Sequence, residues 1–111
     1  MTRDEIDQFP EDYLDRRLNA ELDARSIRIT HRFGWGAAGE IVEAMHKRGY
    51  WCELKSPFDK DQPWFAGFTP HGCSGWNGQP DYQMSASSGP IALAKAALLA
   101  LVEEAKENHD R

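Results

Sequence analysis

The feature that most constrains the fold of this chain is the stretch 87–107, where a capping sequence precedes a regular apolar pattern. Ser87-Ser88-Gly89-Pro90 places capping residues before a proline, which suits the first turn of a helix. Apolar residues then recur at steps of three and four, as on one face of an α-helix; they are Ile91, Ala94, Leu98, Leu101 and Ala105. The pattern predicts a helix over 90–107 that packs against the rest of the molecule.

The preceding residues alternate between helical and extended patterns. Helical spacing predicts helices over about 10–24 and 37–48, with Gly49 in the left-handed position that often ends a helix. Alternation with a period of two predicts an extended segment over 27–33 and three strands, within 50–55, 64–69 and 82–86. Residues 1–8 are expected to be a loosely ordered lead-in. We expect two or three of the four tryptophans in the core.

These elements predict one α+β domain spanning residues 1–111. The order is an N-terminal helix, then a helix, a three-stranded antiparallel sheet and a final helix. Short connections allow the strands to pair as a meander, and both later helices are expected to cover one face of the sheet. Double-stranded-RNA-binding domains share this order, but they use several lysines at the start of the last helix. Here Lys95 is the one lysine in the first two turns, so RNA binding is disfavoured.

Charge is distributed unevenly along a chain whose net charge is −5. Residues 1–26 contain eight acidic residues against four arginines. A net negative protein repels phosphate backbones, so direct nucleic-acid binding is not expected. A basic protein surface or a neutral small ligand stays open as a partner. The sequence has no long apolar run and no secretory signal, and it has two cysteines. It is expected to act in a reducing cytoplasm.

His71, Cys73 and Cys52 are the residues that suggest metal or nucleophile chemistry. Structural zinc sites use four ligands in closely spaced pairs, which this sequence lacks, and Cys52 fits a small buried apolar residue better. A cysteine nucleophile needs a base that a third group holds in place, and neighbours two residues apart seldom supply this. We therefore expect no metal, no cofactor and no catalytic residue.

Two surfaces are candidates for binding a partner. In the loop 70–80, Gly72, Gly75 and Gly78 surround Trp76, with His71 beside them. The loop joins two strands, so it does not match phosphate-binding loops, which lead into a helix. Trp76 is either a binding residue or an anchor packed on the sheet. The second candidate is the acidic first helix, which is either a solvated face or an imitation of a nucleic-acid backbone. Its candidate residues are Glu11, Asp12, Asp15 and Asp23.

Several stretches, taken in order, resemble a known family. They are residues 2–10, 13–15, 37–42, 47–50, 64–68 and 89–98, which read TRDEIDQFP, YLD, AAGEIV, KRGY, WFAGF and GPIALAKAAL. Together they resemble the phage ABA sandwich domain family of small phage and prophage proteins. The resemblance implies a layered α/β/α sandwich in which the N-terminal helix covers Trp51. It supplies no catalytic residues, because none are established for the family.

With the acidic surface, the resemblance leads to an expected function. The protein would be a non-enzymatic phage or prophage protein in the host bacterial cytoplasm. It would bind and inhibit or modulate a host protein or nucleoprotein complex, as an anti-CRISPR or other anti-defence inhibitor does. The alternatives are a protein that sequesters a small molecule or nucleotide, and an accessory protein of phage metabolism.

Overall fold

Four helices and one sheet make up the computed structural model. It describes residues 1–23, 33–57, 59, 61–70 and 82–109, without the side chains of residues 23 and 107–109. The elements are α1 (Arg3–Asp7), α2 (Glu11–Asp23), α3 (Trp35–Lys47), β1 (Tyr50–Lys55), β2 (Trp64–Pro70), β3 (Tyr82–Ala86) and α4 (Gly89–His109). The predicted α+β class and element order are confirmed. The extended segment expected over 27–33 lies mostly outside the described residues.

Residues 1–8 contain a helix in place of the expected loosely ordered lead-in. The Thr2 side chain accepts a hydrogen bond from the Glu5 amide and so caps α1. Ile6 is fully buried. The Lys95 side chain holds the end of α1 through the backbone carbonyl and the carboxylate of Asp7. One buried apolar residue and one buried lysine therefore anchor a helix too short to show a sequence period.

The sheet is the predicted antiparallel meander with strand order β1-β2-β3. The register pairs Cys52 with Phe68 and Phe68 with Tyr82, so these residues share the inner face. Helix α4 packs across β2 and β3, and α3 packs against β1. Gly49 ends the turn after α3 with a φ of 89°, as the helix-end prediction required.

Helix α4 is enclosed by the other elements of the fold. Its contacts reach α1, α2, α3 and all three strands. Every residue from 92 to 102 is buried, including Lys95. The predicted core positions Ala94, Leu98 and Leu101 are confirmed, and Ile91 is partly buried against the core. The Ser88 hydroxyl caps the helix by accepting from the Ile91 amide at 3.3 Å.

The exposure of several tryptophans and of Cys52 departs from what the sequence predicts. Helix α2, which corresponds to the helix predicted over 10–24, packs against α4, and Trp51 remains 62% exposed. The expectation that this helix covers Trp51 is therefore wrong. Trp35 is also exposed, at 59%, while Trp64 is partly buried. Cys52 is exposed although it lies on the inner face, because β1 is at the edge of the sheet and α4 covers mainly β2 and β3.

Candidate functional site

Three of the predicted acidic residues come together near the start of α2. Glu11 and Asp15 are one helical turn apart and share a side of the helix, with Asp12 next to them. They line a surface depression of about 360 Å³ together with Arg16 and Phe33. Glu11 and Asp12 are exposed, and Asp15 and Phe33 are half-buried. The lining therefore combines three acidic residues with one arginine and the apolar Phe33.

Neighbouring side chains hold this part of α2 in place. The Asn19 amide donates a hydrogen bond of 3.0 Å to Oδ1 of Asp15. The Arg16 guanidinium lies 5.7 Å from the centre of the Tyr13 ring, a cation–π distance. Tyr13 in turn packs edge-to-face on Phe9, with ring centres 4.6 Å apart. The adjoining side of α2 is fixed in the core by Leu14, Leu18 and Leu22.

The net negative charge of the protein comes from the first 23 residues of the chain. Residues 1–23 hold eight acidic residues and three arginines, and residues 24–111 hold ten acidic and ten basic residues. The net charge of −5 therefore equals the net charge of α1, α2 and their flanking residues. An excess of negative charge in one stretch of the chain attracts positively charged groups.

Asp23, the fourth predicted acidic residue, does not line this depression. Asp23 is the last residue of α2, about 18 Å along the helix axis from Glu11 at 1.5 Å per residue. The predicted group of four acidic residues is therefore a group of three. His71 and Trp76 lie outside the described residues, as do Cys73 and the other residues of 71–80.

A groove along α3 was not anticipated from the sequence. It has a volume of about 510 Å³ and an almost entirely apolar lining; the lining residues are Trp35, Ala38, Gly39, Val42, Glu43, His46, Leu54 and Leu93. Trp35 stands at one end, edge-to-face against Trp64 with ring centres 5.4 Å apart. The sequence does contain a pattern that places lining residues of the groove together, because residues 35, 39, 42 and 46 follow helical spacing on one side of α3.

Cys52 does not have the surroundings of a nucleophile. The protein around it raises the pKa of the thiol by desolvation, and the carboxylate of Glu53 raises it further. A raised pKa leaves less of the reactive thiolate at neutral pH. Within the described residues, no group of three or more histidine, cysteine, aspartate or glutamate side chains is placed to hold a metal ion. None of the described helices is long and apolar enough to cross a membrane.

Comparison of the chain with protein-family models, with curated proteins and with solved structures finds no match. The resemblance to the phage ABA sandwich domain family therefore stays a prediction. The acidic depression of α2 and the negative charge of residues 1–23 are the features that bear on function.

Proposed function

We propose that this protein acts without catalysis, by binding a basic protein surface through the acidic face of α2. The acidic face is defined here as Glu11, Asp12 and Asp15. The observation that carries the proposal is that these three acidic residues line one depression with the half-buried Phe33, against one basic residue, Arg16. Carboxylates attract and orient cationic groups, and an apolar ring gives a partner a surface to bury.

Arginine is the side chain that this depression suits best. A guanidinium can donate two parallel hydrogen bonds to one carboxylate, and its flat surface stacks on aromatic rings. The acidic face offers adjacent carboxylates with Phe33 within the same depression. Long-range attraction from the net negative charge of residues 1–23 would speed the encounter with such a partner.

The resemblance to phage proteins suggests where a basic partner would be found. Enzymes that handle nucleic acids carry basic grooves that bind phosphate backbones. A row of carboxylates on a rigid helix can occupy such a groove in place of the nucleic acid. We therefore propose a host-directed inhibitor in the bacterial cytoplasm, with CRISPR complexes and other nucleic-acid-dependent defence systems as candidate targets. The same negative charge disfavours direct binding of the protein to nucleic acid.

The test compares two variants that lose the same charge at different places. The first is Glu11→Gln, Asp12→Asn and Asp15→Asn, which keeps side-chain size and removes three carboxylates. The matched control is Glu43→Gln, Asp59→Asn and Asp61→Asn, three exposed acidic residues outside α2. Each protein is immobilised and exposed to bacterial lysate at low salt and at about 0.15 M salt, where the Debye length is about 8 Å. Retained proteins are identified and their affinities measured with purified material.

The proposal predicts that a basic protein is retained by the wild type and by the control. The α2 variant should bind it at least about tenfold more weakly, equivalent to about 1.4 kcal/mol. Affinity for the wild type should fall as salt rises. Equal loss of binding in both variants would mean that net charge matters and the acidic face does not. Retention that is unaffected by either variant and by salt would exclude this surface.

A further inference from the structure

Arg16 is the one basic residue among the described residues that line the acidic depression of α2. Counting about 100° per residue, Asp12 lies one turn earlier and about 40° to one side of Arg16, and Tyr13 lies about 60° to the other side. A long, flexible arginine side chain can therefore reach either neighbour. On Asp12 the guanidinium would neutralise a carboxylate of the acidic face, whereas on Tyr13 it would not.

The guanidinium of Arg16 contacts Tyr13. Its central carbon lies 5.7 Å from the centre of the Tyr13 ring. Within the part of the chain that the structure describes, no ion pair joins Arg16 to Asp12. An aspartate four residues before an arginine is a favourable arrangement for an ion pair on a helix. The contact with Asp12 is therefore open to Arg16 by spacing, and the side chain takes the ring instead.

The packing of the Tyr13 ring explains this choice. An exposed cation–π contact and an exposed ion pair within one helix are similar in strength, so a small difference decides between them. Phe9 packs edge-to-face on Tyr13, with ring centres 4.6 Å apart, and Phe9 itself packs against the core. The ring is thus held in place before the guanidinium contacts it, and less side-chain freedom is lost in the contact.

We propose that Tyr13 is a positioning residue of the acidic face, whose ring holds Arg16 away from Asp12 and so keeps the Asp12 carboxylate available to a cationic partner. Arg16 is then a competitor within the molecule, since it and an arginine of the partner would bind the same carboxylate. The effect on binding rests on the proposed function, whereas the position of Arg16 can be measured in the protein alone.

Nuclear magnetic resonance of the protein alone tests which neighbour Arg16 contacts. Tyr13→Leu removes the aromatic ring and keeps an apolar side chain beside Phe9, and Tyr13→Phe keeps the ring as the matched control. Tyr13 is exposed, so neither substitution opens the core. Asp12→Asn is then added to each protein. It should shift the Nε–H signal of Arg16 far more in Tyr13→Leu than in the wild type or Tyr13→Phe, because only without the ring does Arg16 pair with Asp12.

Isothermal titration calorimetry with a tetra-arginine peptide at low salt tests the consequence for binding. Tyr13→Leu should weaken binding about two- to threefold, the effect of losing one exposed carboxylate to an ion pair. Tyr13→Phe should bind as the wild type does. Arg16→Gln removes the competitor, so Tyr13→Leu should have no effect on binding in an Arg16→Gln background. This rescue separates a positioning role from a direct contact between Tyr13 and the peptide.

Two results would overturn the inference. One is an Arg16 signal that responds equally to Asp12→Asn with and without the Tyr13 ring. The other is a loss of peptide binding in Tyr13→Leu that persists in the Arg16→Gln background, which would mean that Tyr13 contacts the peptide itself. A wild type that binds no peptide, with the Arg16 signal behaving as expected, would overturn the proposed function and support the position inferred for Arg16.

Discussion

The ammonium group of Lys95 donates a hydrogen bond of 2.9 Å to the backbone carbonyl of Asp7 and lies 3.2 Å from its Oδ1. Lys95 is buried on the central helix, and Asp7 is the last residue of α1. Carbonyls at the end of a helix have no partner within the helix. Lys95 supplies that partner and so joins the first helix of the chain to the last.

Lys95→Met tests how much this junction contributes to stability. Methionine keeps an apolar stem in the buried site but removes the donor to the Asp7 carbonyl. We expect a loss of about 1 kcal/mol of unfolding free energy, the usual net value of one hydrogen bond. Asp7→Ala is the matched variant, because it removes the half-exposed carboxylate and keeps the carbonyl. It should cost less than about 0.5 kcal/mol. Urea unfolding measures both, and equal losses would contradict a dominant role for the carbonyl.

Gly89 and Gly39 differ in the space around them, so substitution by alanine should change stability in opposite directions at the two positions. A Cβ at Gly89 would lie 2.8 Å from Cη2 of Trp35 and 3.1 Å from Cε3 of Trp64. In Gly89→Ala the added methyl group therefore presses against both indoles and should cost about 1–2 kcal/mol, as overpacking does. Gly39→Ala meets open space on a helix and should gain up to about 1 kcal/mol.

Thermal unfolding at low protein concentration, with tryptophan fluorescence recorded alongside, measures both changes. Gly89→Ala should alter the fluorescence, since the ring contact between Trp35 and Trp64 is disturbed. A stability gain at both positions would show that Trp35 moves aside without cost.

The raised pKa of Cys52 predicts slow alkylation. In a Cys73→Ser background, the rate of reaction with iodoacetamide should rise with pH, with a midpoint above the ordinary thiol pKa. Glu53→Gln removes the smaller of the two causes, so the midpoint should move down by less than the whole shift. Glu53→Asp, which keeps the charge, is the control and should leave the midpoint raised. A midpoint below the ordinary value in the wild type would contradict a thiol pKa raised by desolvation and by Glu53.

Local patterns predicted most of the helices and strands. The bounds of α2, α3, α4 and the three strands follow from spacing, capping residues and Gly49, which act within a few residues of one another. Helix α1 escaped prediction because a five-residue helix with one buried side chain, Ile6, has no measurable period.

Burial was harder to predict because it depends on distant elements. Alternation assigns Cys52 to the inner face of the sheet, but it does not reveal that α4 lies mainly over the other two strands. The burial of α4 on all sides is indicated more clearly by its sequence. Residues 92–102 are apolar except for Lys95, so this part of the helix is apolar all round, which is typical of a buried helix. One apolar stripe was predicted where the sequence contained apolar residues on every side.

Part of the candidate site could be predicted, because some of its residues are close in sequence and others are not. Glu11, Asp12 and Asp15 are close in sequence and on one helix, so their grouping follows from helical geometry. The contribution of Phe33, which follows α2 in the chain, required the folded molecule. Helical periodicity likewise places Trp35, Gly39, Val42 and His46 on one side of α3, although the sequence alone did not reveal that the groove beside them stays open.

The position of α4 affects how the chain can fold during its synthesis. All other described elements precede α4 in sequence, and each of them contacts it. A ribosome-bound chain that has emerged only as far as residue 86 has its strands and first helices without the surface that joins them. Native contacts here span long sequence separations, which favours slow folding that waits for the C-terminal helix. Until that helix leaves the exit tunnel, the nascent protein exposes apolar surface that chaperones recognise.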